Sequence, residues 1–176
     1  MTVRGAAFPT TIGHHPTVAT AAPAVSHSIE YRPLAEGDGG TFQTLDAMKA
    51  CVLGIVPPDY SGYRDEFNIR AANQIASTAS GQDARSKVAA LCNWVTRNIT
   101  YTSHPFNQQV CQDAKRTIEL RKGDCVSLSI LLATLLASLE YPYISRFVAQ
   151  WVDGEDASHV YVEVHMPDGE WLALDA

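Results

Sequence analysis

The chain has 176 residues, the usual length of one domain with a short extension, so two full domains are not expected. Hydrophobic residues make up 46% of it and charged residues 18%, a balance typical of a globular protein with a sizeable core. No apolar run approaches the roughly 18 residues of a membrane span, so we expect no membrane partner. A net charge of −6 leaves no basic surplus for phosphate contacts, so nucleic acid is not expected as a partner either.

The number and spacing of the cysteines and histidines indicate which cellular compartment and which cofactors to expect. Neither the density of a secreted disulfide scaffold nor a C-x-x-C zinc pair is present among the four cysteines, Cys51, Cys92, Cys111 and Cys125. The histidines also lack metal-ligand spacing. We therefore expect reduced thiols, no metal and no other cofactor. The expected location is cytoplasmic, or virion-associated if the chain derives from a phage.

The first part of the chain differs in composition from the rest. Residues 1–28 carry one formal charge, on Arg4, and show no apolar period, which predicts a disordered tail followed by a domain over residues 29–176. Prolines and histidines interrupt any stretch that could serve as a signal peptide, so export is not expected. Residues 30–40 are predicted to form a turn-rich connector.

Three helices are predicted before the middle of the chain. The first follows the capping residue Thr41 and ends before Pro57, the second spans about 65–79, and the third spans about 83–98. The third has the clearest stripe, with apolar residues at spacings of three and four: Val88, Leu91, Cys92, Val95 and Ile99.

A change of period divides the second half of the chain. A predicted loop over residues 100–124 precedes a segment, 125–137, that is apolar nearly all round and is typical of a buried helix. Alternation then predicts strands at 144–152, 158–165 and 171–174, the last two joined by a turn at 166–170. Helices followed by antiparallel strands indicate an α+β fold.

Cys125 is the first candidate for chemistry. It follows Gly123 and Asp124 at the predicted start of the buried helix, where unpaired N–H groups and the helix dipole favour a thiolate. The same N–H groups could bind the oxyanion formed when sulfur attacks a carbonyl. The alternative is a small buried hydrophobic residue, which describes most free cysteines.

His159 and Asp175 are candidates for a base and the residue that orients it. On the strand at 158–165, the valines share one face and His159 shares the other with Tyr161, Glu163 and His165. A hairpin symmetric about Pro167 places Asp175 opposite His159 on that face. The alternative is an exposed histidine and an ordinary aspartate.

Three blocks of sequence resemble the transglutaminase-like superfamily, particularly its bacterial and phage members, over about residues 84–176. The blocks are Leu91-x-x-Trp94-Val95-x-x-Asn98-Ile99-x-Tyr101, Thr117-x-x-x-Arg121-x-Gly123-Asp124-Cys125, and the pair Ser158-His159-Val160-Tyr161-Val162-Glu163-Val164 with Gly169-x-Trp171-x-x-Leu174-Asp175. The resemblance implies a papain-like fold and a Cys-His-Asp triad in that chain order. It implies Cys125 as nucleophile, His159 as base and Asp175 as the residue that orients the base.

Other residues that the resemblance draws attention to are left outside the candidate site. Gln112 matches a glutamine that often precedes the nucleophile loop in similar sequences, and its amide could donate to the oxyanion, but a solvated loop residue is the preferred interpretation. Trp94 and Trp171 are expected in the core and not as a substrate platform.

The favoured hypothesis is a papain-like cysteine enzyme that acts on amide carbonyls of a protein or peptide substrate through a thioester acyl-enzyme, as a peptidase or amidase. Protein-glutamine cross-linking shares its first half-reaction and is an alternative. A second alternative is a non-catalytic structural or binding module, for example in phage assembly. A redox sensor built on Cys125 would need a second cysteine within reach, which the spacing does not place. The oligomeric state is open.

Overall fold

A computed structural model describes residues 29–33, 39–55, 61–103, 111–139, 143–151 and 157–176. The predicted tail at 1–28 lies outside the described residues, as does Pro57. The elements in chain order are β1 (Ile29–Pro33), α1 (Gly39–Leu53), α2 (Glu66–Ala76), α3 (Ala84–Asn98), β2 (Thr100–Tyr101), α4 (Ala114–Leu120), β3 (Lys122–Gly123), α5 (Cys125–Ala137), β4 (Ser145–Trp151), β5 (Ala157–His165) and β6 (Trp171–Leu174).

A four-stranded sheet in the order β1-β4-β5-β6 forms one layer of the domain. The strands β4, β5 and β6 are antiparallel neighbours, as predicted. The connector predicted at 30–40 is wrong at both ends, because β1 pairs in parallel with β4, with Ile29 beside Ser145, and α1 begins at Gly39, before the predicted cap Thr41. A five-residue edge strand that ends at Pro33 depends on its neighbour for hydrogen bonds and shows no alternation long enough to read.

The helices pack against one face of this sheet around α5. Every residue of α5 after Cys125 is buried, and the helix contacts α1, α2, α3, α4, β4 and β5. The face of β5 that carries Val160, Val162 and Val164 belongs to this core. The alternation predicted for β5 is confirmed, and His159 and Tyr161 lie on the opposite face of the strand.

Aspartate caps start four of the helices. The side chains of Asp65, Asp83, Asp113 and Asp124 each accept a hydrogen bond from a backbone N–H in the first turn of the helix that follows. The predicted starts of α3 and α5 are therefore confirmed. The second helix ends at Ala76, earlier than the predicted residue 79, where the hydroxyls of Ser77 and Thr78 donate to the carbonyls of Gln74 and Ile75 at 2.7 Å each.

The loop predicted at 100–124 is wrong in part, because it contains β2, α4 and β3. The seven residues of α4 lie between the Asp113 cap and Arg121, which ends the helix in the left-handed region at φ 52°. A helix this short shows less than two full apolar periods, so the pattern was not visible in the sequence. The strands β2 and β3 pair in parallel and bring Tyr101 beside Gly123, two positions before Cys125.

Candidate active site

Cys125 is the first residue of α5, as predicted. Asp124 accepts the backbone N–H of Ser127 at 2.8 Å, which sets the start of the helix at the cysteine. Three backbone N–H groups lie close enough to the half-buried thiol to favour its thiolate, those of Val160, Val126 and Cys125 itself. Two of these belong to the helix start, where unpaired N–H groups are expected.

The expected lowering of the Cys125 pKa is wrong. Burial, the largest effect, raises the pKa of the Cys125 thiol, and the neighbouring Asp124 carboxylate raises it further. The three N–H groups act in the opposite direction but do not compensate. Asp124 therefore has two roles: it caps the helix, and its charge raises the pKa of Cys125, whereas the N–H groups of the helix start lower it.

The backbone of Val160 fixes the start of α5 against β5. Its N–H group donates to the Cys125 sulfur, and its carbonyl accepts the hydroxyl of Ser129 at 3.1 Å. Ser129 lies one helical turn after Cys125, so both side chains lie on one face of α5. The pairing of β5 with β6 begins at Val162, which leaves the backbone edge of Val160 open to the helix.

His159 and Asp175 are in direct contact. Nε2 of His159 lies 2.9 Å and 3.0 Å from the two carboxylate oxygens of Asp175. The side chain of His159 is 34% exposed and that of Asp175 is 63% exposed. With Nε2 engaged, Nδ1 is the ring nitrogen left to exchange a proton with another group.

The register of the hairpin differs from the predicted one. His165 pairs with Trp171, so the hairpin is centred on Asp168 and not on Pro167. Gly169 lies in this turn at φ 89°, and its N–H donates to the carbonyl of Met166 at 2.9 Å. Asp175 therefore lies diagonally across from His159, and because the offset is two residues it remains on the predicted face.

The three predicted residues come from three elements, and the structure brings two of them, His159 and Asp175, into direct contact. Cys125 begins α5, His159 lies in β5, and Asp175 directly follows β6. The thiol of Cys125 contacts the backbone of Val160, the residue next to His159. The arrangement can therefore supply a nucleophile, an imidazole and a carboxylate that holds the imidazole.

Tyr101 is a site residue that the sequence reasoning missed, although it lies within the first block of the resemblance. Its hydroxyl donates to the Cys125 sulfur. Burial of the hydroxyl is the largest effect that raises the pKa of the phenol, and this hydrogen bond and the nearby carboxylates of Asp124 and Asp175 add to it. Only the pairing of β2 with β3 brings Tyr101 to the thiol. No local pattern in the sequence predicts that pairing.

The side chain of Gln112 is held in place by two hydrogen bonds. Its amide nitrogen donates to the hydroxyl of Thr117 at 3.0 Å and to the carbonyl of Lys122 at 2.9 Å. Both amide hydrogens are thereby used, so Gln112 holds the segment before Cys125 and has no hydrogen left for an oxyanion. It remains outside the candidate site.

The two tryptophans differ in position. Trp94 packs against the core, as expected. The expectation for Trp171 is wrong, because its ring lies on the outer face of the sheet, 3.9 Å from the Arg146 guanidinium and 5.0 Å from the His165 ring centroid. Arg146 also forms a largely buried ion pair with Glu163. Because these two charged side chains on the same face are paired with each other, we do not regard them as candidate site residues.

Among the described residues, no group of three or more histidine, cysteine or acidic side chains could hold a metal ion. Over the same residues, every helix is too short or too polar to cross a bilayer.

The fold and the site define a class: a mixed helix and sheet domain with a papain-like core and a cysteine at the start of its central helix. Residues 70–176 match the transglutaminase-like superfamily, and the chain belongs to that superfamily. No curated protein matches the sequence.

Solved structures with the same fold come from longer proteins. A candidate protease from Parabacteroides distasonis has a TM-score of 0.58 at 13% identity and covers 76% of this chain and 26% of its own. A candidate cysteine protease from Cytophaga hutchinsonii has a TM-score of 0.53 at 21% identity and covers 84% and 45%. A protein named a TGase has a TM-score of 0.50 at 18% identity and covers 78% and 38%. The chain thus spans less than half the length of each.

Proposed function

We propose that this protein is a cysteine-dependent hydrolase of amide bonds in peptide or protein substrates, with Cys125 as nucleophile, His159 as general base and Asp175 as the residue that orients the base. The observation that carries the proposal is the contact of His159 Nε2 with both Asp175 oxygens, which accept its hydrogen bond. His159 lies next to Val160, whose backbone contacts the Cys125 thiol. A bacterial or phage origin, and a cytoplasmic or virion location, remain predictions.

The reaction begins with a neutral thiol, because burial raises the pKa of Cys125. As the sulfur attacks the substrate carbonyl carbon, Nδ1 of His159 accepts the thiol proton, and the negative charge of Asp175 stabilises the resulting imidazolium. The carbonyl electron pair moves to oxygen and gives a tetrahedral oxyanion. Backbone N–H groups at the start of α5 and the Tyr101 hydroxyl lie near the sulfur. They are therefore available as hydrogen-bond donors to the oxyanion.

Collapse of this intermediate breaks the carbon–nitrogen bond. The amine leaves with the proton from His159, and Cys125 holds the acyl group as a thioester. Water then attacks the thioester while His159 accepts its proton, and the second collapse returns the proton to the sulfur and releases a carboxylic acid. The cycle restores the neutral thiol and consumes one water molecule.

Hydrolysis is favoured over cross-linking by the exposure of the site. Asp175 is 63% exposed and His159 is 34% exposed, so water reaches the groups that act in the second half-reaction. Water is present at about 55 M, and an amine competes with it only in a pocket that excludes solvent. Cross-linking of glutamine side chains remains the second candidate, since the similar structures include a protein named a TGase.

The test offers glutamine-containing and asparagine-containing peptides together with a fluorescent primary amine at millimolar concentration. We expect mass spectrometry to find mainly released acid, and the Cys125→Ala variant to form neither product. If the amine adduct is the main product, the reaction is cross-linking and not hydrolysis, while the roles of Cys125, His159 and Asp175 are unchanged. If neither product forms and a thiol electrophile does not label Cys125 faster than it labels Cys92, the non-catalytic module is the correct alternative.

A further inference from the structure

A second pair of reactive groups lies outside the candidate active site. Cys51 is in the last turn of α1 and is 2% exposed, and Cys111 is half-buried in the segment that precedes α4. Their thiols are in hydrogen-bond contact with each other, and both residues pack against the same core. The four cysteines are all reduced in this structure, so this contact is between two thiols.

The two thiols of this pair are not equivalent. The hydrogen bond that Cys51 donates lowers the pKa of Cys111, against the opposing effects of burial and Asp124. The same bond is the largest cause that raises the pKa of Cys51, and burial adds to it. Cys111 is the accessible member of the pair and is therefore the thiol that a reagent in solution reaches first, while Cys51 is buried.

We propose that Cys51 and Cys111 form a redox-active dithiol site that closes to a disulfide by exchange with a small-molecule disulfide such as oxidised glutathione. The Cys111 thiolate attacks one sulfur of the small disulfide, forms a mixed disulfide and releases one thiolate. Cys51 then loses its proton, attacks the Cys111 sulfur and displaces the second thiolate. Two protein thiols are oxidised and one disulfide is reduced to two thiols.

The crosslink would join two parts of the chain that the fold holds side by side. Cys111 is followed by Gln112, whose amide braces the Lys122 carbonyl, and Asp124 is close enough for its charge to affect Cys111. A disulfide at this point ties the end of α1 to the segment that supports the start of α5. Because it closes a long loop in the unfolded chain, we expect it to raise the Tm by about 10 °C.

The test uses the whole chain in glutathione buffers of increasing oxidised fraction, followed by alkylation, trypsin cleavage and mass spectrometry. Trypsin separates the four cysteines into four peptides, residues 50–64, 88–97, 98–115 and 123–146. We expect the peptides 50–64 and 98–115 to be recovered as one crosslinked species, in the unaltered chain and equally in a Cys92→Ser control. The Tm should rise as this species accumulates.

Two variants resolve the order of the steps. Cys51→Ala should leave Cys111 carrying one glutathione, and Cys111→Ser should leave Cys51 unmodified. A mixed disulfide on Cys111 in the unaltered chain without crosslink, a crosslink from Cys111 to Cys92 or Cys125, or no modification in millimolar oxidised glutathione would each overturn the proposal. None of these measurements requires catalysis, so they test the dithiol site independently of the proposed hydrolase activity.

Discussion

The Cys125 thiol is subject to opposing influences that meet within one turn of helix. Burial and the Asp124 carboxylate favour the protonated thiol, while N–H groups from α5 and from Val160 favour the thiolate. Since the protonated form prevails, an enzyme using this thiol needs a base in the step that uses the sulfur. This requirement gives His159 and Asp175 their proposed roles.

The raised pKa of Cys125 predicts the pH dependence of its alkylation. The thiolate fraction should still be rising at pH 9, the ordinary value of 9.0 for a cysteine, because the folded protein holds the proton more tightly than a free thiol does. The measurement is the rate of iodoacetamide labelling of peptide 123–146 against pH. A rate that is already constant below pH 7 would indicate a thiolate–imidazolium pair and contradict this expectation.

Asp175→Asn should impair turnover without unfolding the protein. The amide keeps the shape of the carboxylate but loses the charge that stabilises the imidazolium, so we expect kcat to fall by roughly 100-fold or more. Because Asp175 is 63% exposed, the Tm should change little. Asp168→Asn in the turn of the same hairpin is the matched control and should leave kcat within twofold. An equal loss in both variants would show that charge on the hairpin, and not contact with His159, is responsible.

Tyr101→Phe tests the hydroxyl at the thiol. The ring is kept and one hydrogen bond to Cys125 is removed, so we expect kcat/KM to fall by roughly tenfold, the usual effect of one lost hydrogen bond. The alkylation profile of Cys125 should also shift. Tyr161→Phe removes a hydroxyl from β5, where the ring lies 6.2 Å from that of His159, and provides the control. Unchanged kinetics in Tyr101→Phe would restrict Tyr101 to a packing role.

At the scale of elements, the position of the active site depends on how α5 docks against β5. The central helix is apolar on every side, so burial alone does not set its rotation. Polar bonds at its two ends set it: Ser129 donates to the Val160 carbonyl near the start, and Ser138 donates to the Tyr63 carbonyl at 2.7 Å just after the end.

Substitution of these two serines separates stability from placement of the thiol. Ser129→Ala and Ser138→Ala each remove a buried hydrogen bond and should each cost about 1 kcal/mol of unfolding free energy. Ser129→Ala should also lower kcat, because it frees the Val160 edge beside Cys125, whereas Ser138→Ala should not. Denaturant unfolding and steady-state kinetics on the same samples provide the comparison, and equal kcat values in the two variants would show that the Ser129 bond does not position the site.

For the whole molecule, α5 joins the helical layer to the sheet in one core. Leu131 is fully buried within it, so Leu131→Ala should cost roughly 2–5 kcal/mol of unfolding free energy through lost burial and an unfilled cavity. Ile144→Ala, at a residue that is 41% exposed, should cost less than about 1 kcal/mol. Circular dichroism and tryptophan fluorescence should report one shared midpoint for each variant. Separate midpoints would mean that the helices and the sheet unfold independently.

Features that depend only on residues close together along the chain could be predicted from the sequence. The continuous apolar run of α5 and the alternation of β5 each express a local physical preference, and each appears where it was predicted. The one cap that was predicted, Thr41, is wrong, because α1 begins at Gly39. The resemblance added the combination of the three candidate residues into one Cys-His-Asp triad. Even the error in the hairpin register was harmless, because a shift of two residues keeps Asp175 on the face of His159.

Features that depend on docking between distant segments were decided only by the tertiary structure. The contact of Tyr101 with the thiol follows from the pairing of β2 with β3, and the contact of Cys51 with Cys111 follows from how the end of α1 meets the segment before α4. The direction of the Cys125 pKa likewise depends on burial and on the side-chain charge of Asp124, which the helix start alone does not reveal. A sequence carries the preference of each segment, but distances between segments arise from the packing of the whole chain, and the chemistry of a thiol depends on those distances.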